Sequence, residues 1–228
     1  MRTAIFHYHL FKNAGTSFDR ILKTNFPDTW VTAEFETASG NNTPAVEDWI
    51  RASPTARAYS SHTAVGPLPQ VADVTLVPVL FLRDPVERIA SAYRFERKQQ
   101  ADTWGAELAK QHDLEGYVRA RLARVNDRQC RNFQTARLAS LVPGSAPELE
   151  RARQALVLLQ TAGMVGRVEA FDHAMARMAE RLKGHGIDFR WTPTRANVSD
   201  AGEPMPAALA ALLEAANTDD RALLATLG

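Results

Sequence analysis

The sequence predicts an α/β fold of three layers, a central parallel sheet between helices. Three observations lead there. Predicted strands alternate with predicted helices along most of the 228 residues, the pattern that builds parallel sheets through right-handed crossovers. Thr75 to Leu82 is a nearly unbroken apolar, β-rich run, as expected of a strand buried on both faces. Near the start, a strand breaks through a lysine and a glycine into a helix, at His9-Leu10-Phe11-Lys12-Asn13-Ala14-Gly15-Thr16-Ser17.

Taken in order, residues 3–9 read as the first strand and Ala14 to Asn25 as a helix that Pro27 ends. Residues 28–56 read as irregular and turn-rich, with a short helix from Val46 to Arg51, and Arg57 to Ser61 as a second strand. The Thr75–Leu82 strand runs into Arg83-Asp84-Pro85, where Asp84 can cap a helix whose first residue is Pro85. That helix extends to about Lys98. Residues 99–153 read as polar and helical, with helices at Leu114–Arg124, Asn132–Leu141 and, beyond Pro143, Glu148–Leu159. Ala162 to Val168 reads as a further strand and Ala170 to Leu182 as its helix, ended by Gly184 and Gly186. A polar loop from Thr192 to Pro206 precedes a helix over Ala207–Asn217 and a last turn through Leu224.

Composition sets bounds on function. Hydrophobic residues at 45% and charged ones at 23% are ordinary for a soluble globular chain, and its length suits a single domain over residues 1–228. A net charge of +1 argues against a generally basic nucleic-acid binder, though not against a local basic cleft. One cysteine, Cys130, excludes an intrachain disulfide framework and multi-cysteine zinc sites, and is expected to be a small buried hydrophobe. No apolar run reaches the roughly 20 residues that span a bilayer, and no signal-peptide h-region follows Met1. A cytoplasmic protein is the expectation.

The loop at His9–Ser17 has the makings of an anion site. First-turn N–H groups of a helix lack internal partners and the aligned peptide dipoles favour negative charge there. Gly15 would let the backbone come close to an anion, Thr16 and Ser17 would add hydroxyls, and Lys12 a full charge. An ordinary strand–turn–helix with a solvated lysine is the bland alternative. The loop is P-loop-like in position, yet it is not a Walker A sequence, since Lys12 precedes Gly15. Lys12, His62, Arg83 and Glu169 each follow a predicted strand, and ligands of open parallel sheets bind at those carboxyl ends. That convergence predicts one common site.

Two stretches together resemble a known family. His9 to Ser17 is similar to the 5′-phosphosulfate loop of PAPS-dependent sulfotransferases, which in the carbohydrate branch reads approximately H-x-P-K-T-A-G-T-S. Phe81-Leu82-Arg83-Asp84-Pro85-Val86-Glu87-Arg88-Ile89-Ala90-Ser91-Ala92-Tyr93 resembles the 3′-phosphate motif, in which R-D-P-x-x-R precedes a Ser and an aromatic. Weaker similarity to the heparan 2-O-sulfotransferase-like branch runs through Ser61–Gly66, Val165–Asp172, Asn197–Ser199 and Asn217–Asp220. Phe11 stands where the family has Pro, and Asn13 where it has Thr.

The resemblance implies a sulfuryl transfer from PAPS to an acceptor hydroxyl, most naturally on a carbohydrate. It implies a cradle of Lys12, Asn13, Ala14, Gly15, Thr16 and Ser17 for the 5′-phosphate, with Lys12 at the departing oxygen. Arg83 would clamp the 3′-phosphate with its planar fork, helped by Ser91, and His62 would take the acceptor proton. No metal is required. Each residue has a plainer reading: His62 as a structural histidine, Ser91 as a packing residue, Glu169 as a rival base or as an arginine's ion-pair partner. His7 and His9 are expected to be structural, and Arg88 to pair with Glu87, Glu96 or a neighbouring segment. Trp49, Trp104 and Trp191 could stack on a sugar or on adenine, with buried packing as the default. Arg94, Arg97 and Lys98 either face an anionic acceptor or form a solvated surface. Two other functions remain open, a P-loop-like kinase that would need Mg²⁺ ligands, and a non-catalytic nucleotide-binding module.

Overall fold

A computed structural model describes residues 1–193 and 205–227. The part of the Thr192–Pro206 loop that carries Asn197–Ser199 lies outside the described residues. Five strands, β1 (Arg2–Tyr8), β2 (Trp30–Thr32), β3 (Ala58–Ser61), β4 (Val74–Leu82) and β5 (Met164–Arg167), form one sheet in the order β2-β3-β1-β4-β5. Every neighbouring pair is parallel. The predicted three-layer α/β fold is the observed one.

The two faces of the sheet follow from the two-residue period of β1. Ala4, Phe6 and Tyr8 point to one face, where helices α2 (Thr43–Ala52), α6 (Phe133–Ala139), α7 (Glu148–Ala162) and α10 (Thr218–Leu224) pack. Ile5 points to the other, against Phe18 and Leu22 of α1 (Gly15–Asn25) and the apolar side of α8 (Phe171–Lys183). Phe18 and Leu22 are both fully buried, which by area stabilises the fold by roughly 1.5–3 kcal/mol per side chain. A third cluster joins α3 (Pro85–Lys98), α4 (Trp104–Gln111), α5 (Leu114–Ala123) and α9 (Ala207–Ala216) through Ile89, Tyr93, Leu108, Tyr117, Val118 and Leu213.

Three elements differ from expectation. β2 is three residues of an edge strand inside the segment read as irregular, too short to show a period. α4 begins where Thr103 accepts a hydrogen bond from the Ala106 N–H, with Gly105 in its first turn. That glycine masks the helix in sequence, and its missing Cβ leaves room for the Glu96–Arg121 ion pair. The last turn through Leu224 is a full helix, α10. α3 has the expected bounds, and Asp84 caps it by accepting from the Val86 and Glu87 N–H groups at 3.0 and 3.1 Å.

Of its three expected partners, Arg88 takes the neighbouring segment and neither Glu87 nor Glu96. It is fully buried, donates to the Gln129 carbonyl and lies 4.4 Å over the Phe133 ring. Cys130 is buried as expected, and burial pushes its thiol up to about 12.

Candidate active site

The carboxyl ends of β1, β3 and β4 meet at one place. The loop after β1 reverses through two left-handed residues, Lys12 (φ 64°) and Ala14 (φ 59°), the second of which precedes α1. Gly15 and Thr16 therefore stand at the first helical positions, where N–H groups have no acceptor inside the helix. Gly15 does not owe its identity to a positive φ. A Cβ there would fall well inside 3.0 Å of the His9 ring, so His9 fills the space that a side chain would need.

Asn13 turns inward. Its side-chain amide donates to the Phe81 carbonyl at 2.8 Å and to Gln134 Oε1 at 2.7 Å, and its N–H donates to the Leu10 carbonyl. In this position the side chain anchors the loop to β4 and does not face a ligand. Gln134 completes the anchor: its Oε1 also accepts from the Arg83 N–H at 2.8 Å, while its Nε2 donates to the Arg83 carbonyl at 2.8 Å. Buried Asp220 of α10 holds Gln134 in turn, accepting from its Nε2 at 3.3 Å and from its N–H at 3.2 Å. The two sequence motifs are thus tied together by one glutamine from α6.

Lys12 and Arg83 converge. Arg83 Nη1 donates to the Lys12 carbonyl at 3.4 Å, and the Lys12 ammonium lies 4.5 Å over the Phe95 ring. Burial, with the charges of Arg83 and Arg94, pushes the Lys12 pKa down. Burial also lowers the Arg83 pKa, against Glu87, whose carboxylate is 3.7 Å away. Ser91 is half-buried on α3, at helical spacing between Glu87 and Arg94, and so shares the face turned to Arg83. Three cations packed against their mutual repulsion are suited to a multiply charged anion.

His62 stands just past β3, the strand on the other side of β1 from the one that carries Arg83. Its Nδ1 and Glu34 Oε1 are 2.6 Å apart, and its backbone N–H also donates to Glu34, at 3.1–3.2 Å from the two carboxylate oxygens. Its ring lies on that of His9, with centroids 3.8 Å apart. His9 in turn bonds Asp19 Oδ2 through Nδ1 at 2.8 Å, and His7 bonds Asp19 Oδ1 at 2.8 Å. His7 lies on β1 and His9 one residue past its end, two apart in the extended chain, and both rings reach Asp19 on α1. Ser60 Oγ donates to the same carboxylate at 2.6 Å. Burial alone would raise the Asp19 pKa, but the hydrogen bonds from His7, His9 and Ser60 outweigh it and hold the carboxylate well below its ordinary range. The ligand-type atoms of His7, His9 and Asp19 lie within 4.8 Å of one another, the spacing of a metal site, and here they bond each other.

This buried cluster makes the stability of the fold depend on pH in the acid range. Burial drives the His7 pKa below its ordinary 6.5 despite Asp19. The unfolded chain therefore binds a proton at His7 that the folded chain refuses, and stability is lost as pH falls below about 6.5. Asp19, depressed from 3.8, adds stability that is lost as pH falls below that value. Urea midpoints should be level from pH 7 to 8 and decline in two acid steps. His7→Gln should flatten the first, and an unchanged first step would remove His7 as its source.

Glu169 lies elsewhere in role: it accepts from the Asp84 N–H at 2.8 Å and lies 3.5 Å from Arg167. Arg97 donates to the Tyr93 hydroxyl at 2.7 Å. Trp49 packs on Phe35 and Tyr59, and Trp104 lies under Arg121 and Arg124. Trp191 lines a cleft of about 310 Å³ beside α1, together with Ser17, Arg20, Ile21, Thr24 and Arg190. Sequence reasoning missed Glu34, Asp19 and Gln134. The only signal for Asp19 is the pair of histidines at strand spacing, and none marks the other two.

No family model matches the sequence. An uncharacterized protein of Archaeoglobus fulgidus is 35% identical over 204 residues, covering 86% of this chain and 80% of the archaeal one. The chain belongs to the family of that archaeal protein. Among solved structures, a crystal structure of a sulfotransferase from Alicyclobacillus acidocaldarius is similar at a TM-score of 0.47 and 16% identity, over 100% of this chain and 96% of that one. Among the described residues, no helix is long and apolar enough to cross a membrane.

Proposed function

We propose that the chain is a single-domain sulfotransferase that moves a sulfuryl group from PAPS to an acceptor hydroxyl, with a carbohydrate as the acceptor class the motif resemblance implies. The observation that carries this reading is the joining of two cationic motifs. The Lys12 loop at the head of α1 and the Arg83 turn at the head of α3 are bonded to each other at the ends of adjacent strands. A donor with a phosphosulfate at one end and a second phosphate on its ribose matches two such cradles.

In this reading, the N–H groups of Ala14, Gly15 and Thr16 and the hydroxyls of Thr16 and Ser17 hold the 5′-phosphate, while the Ser17 N–H donates to the Ala14 carbonyl at 3.0 Å and closes the first turn of α1. Arg83 and Ser91 hold the 3′-phosphate. The nucleoside extends toward the cleft lined by Trp191, whose indole offers a stacking face. The acceptor oxygen attacks sulfur in line, its proton passes to His62, and the bond from sulfur to the bridging oxygen breaks. The electron pair leaves on the phosphate, where Lys12 stabilises the developing charge.

Ligand-dependent melting tests the reading. Adenosine 3′,5′-bisphosphate should raise the melting temperature more than ATP·Mg²⁺ does, and Arg83→Ala should abolish the difference. An equal or larger shift with ATP·Mg²⁺ would favour a kinase and overturn the proposal.

A further inference from the structure

His62 is a half-exposed histidine, with 53% of its side chain in contact with solvent, yet it is immobilised on three sides. Glu34 holds its ring edge through Nδ1 and its backbone through the N–H. His9, itself locked by Asp19, supports its ring face. Arg137 donates to its carbonyl at 2.9 Å. Fixing a solvent-facing side chain costs rotamer entropy and adds little burial, so folding alone gives no reason for it. Glu34 is equally committed: besides His62 it accepts from Thr63 Oγ1 at 2.8 Å, although half of its side chain is exposed.

We infer that Glu34 is a positioning residue for His62, holding the proton on Nδ1 so that Nε2 presents its lone pair to the incoming hydroxyl. This rests on the sulfuryl-transfer reading, in which His62 is the base. An isolated neutral imidazole carries its proton on either nitrogen, and a carboxylate on one fixes the tautomer and the ring plane. During transfer the acceptor O–H breaks, its proton goes to Nε2, its oxygen bonds sulfur, and the bridging S–O electron pair leaves with the phosphate. His62 becomes an imidazolium, and the Glu34 carboxylate, already bonded to Nδ1–H, balances the new charge without rearranging. Glu34 never touches the donor or the acceptor.

The segment that carries Glu34 follows β2, so the edge strand has a task. Its pairing with β3, with Thr32 opposite Ser60, brings the next turn beside His62. The hydrogen bonds of Glu34 hold its own carboxyl below the ordinary range against the opposing effect of burial, which keeps it ionised for this role.

The test uses the full chain and ¹⁵N-labelled histidine. In the unaltered protein at pH 8, the His62 ring should be protonated at Nδ1 and bare at Nε2. In Glu34→Ala the Nε2–H tautomer should predominate, while the melting shift with adenosine 3′,5′-bisphosphate stays within a few tenths of a degree of the parent's. Single-turnover consumption of PAPS, with water as acceptor, should fall at least tenfold in Glu34→Ala and recover in part in Glu34→Asp. An unchanged tautomer in Glu34→Ala, or undiminished PAPS consumption, would overturn the inference. Should the parent fail to bind adenosine 3′,5′-bisphosphate at all, the sulfuryl-transfer reading falls, and the tautomer measurement still decides whether Glu34 sets the proton on His62.

Discussion

Lys12→Ala is expected to lower sulfuryl transfer by about a hundred- to a thousand-fold, the range for removing one preorganised group from a developing oxyanion. Affinity for adenosine 3′,5′-bisphosphate should change only a few-fold, because the 5′-phosphate retains the N–H groups at the head of α1. The asymmetry follows from where the charge appears. The bridging oxygen carries little charge while sulfur is attached and a full share once it leaves, so Lys12 favours the transition state over the bound donor. Its environment supports this: burial and two neighbouring guanidinium groups lower its pKa, and a nearby anion would relieve that repulsion. Lys12→Arg should recover part of the rate, since it restores charge but spreads it over a planar fork. Turnover near that of the parent in Lys12→Ala, measured as release of adenosine 3′,5′-bisphosphate, would remove Lys12 from the reaction.

Gly15→Ala should damage both stability and turnover. A methyl group there meets the His9 ring, which cannot swing aside freely because Asp19 holds one edge and His62 covers one face. Overpacking of this kind costs about 1–3 kcal/mol, and in a chain of this size each kcal/mol lowers the melting temperature by about 2–4 °C. Because His9 supports His62, displacement of the first ring should also misplace the second, so turnover should fall further than binding does. A Gly15→Ala protein that melts like the parent would mean the loop opens enough to admit a side chain. His9→Ala should relieve the clash in the double variant, a coupling that a double-mutant cycle on melting temperature would measure.

The framework was legible wherever a residue's role depends on its neighbours in sequence. The buried run before Arg83 is β4, Pro85 opens α3, and the Lys12 loop joins β1 to α1 as the strand and helix patterns require. The cradle residues could be named because backbone N–H groups at a helix start follow from local chain direction. What escaped was everything supplied from a distance. Glu34 sits in a segment without periodicity, and nothing local marks it as the partner of His62. In the sequence Asn13 stands in a ligand-binding loop, and its inward turn depends on Gln134, far along the chain. The end of a buried strand predicts a structural role for His9, and its stacking on His62 needs the register of β1 against β3 to be known.

The glutamine that joins the two motifs has a consequence for the order of assembly. Asn13 reaches Gln134 across 121 residues, Arg83 across 51, and Gln134 reaches Asp220 across 86. Contacts of such separation reward the chain only after long loops have closed. On the ribosome, β1, its loop and β4 emerge first, yet the clasp between the Lys12 loop and the Arg83 turn cannot close until α6 has been made, and Asp220 cannot brace it until α10 has. The spacing of the two cationic motifs is therefore fixed later than the strands that carry them. A nascent chain can pair β1 with β4 before its anion site is set.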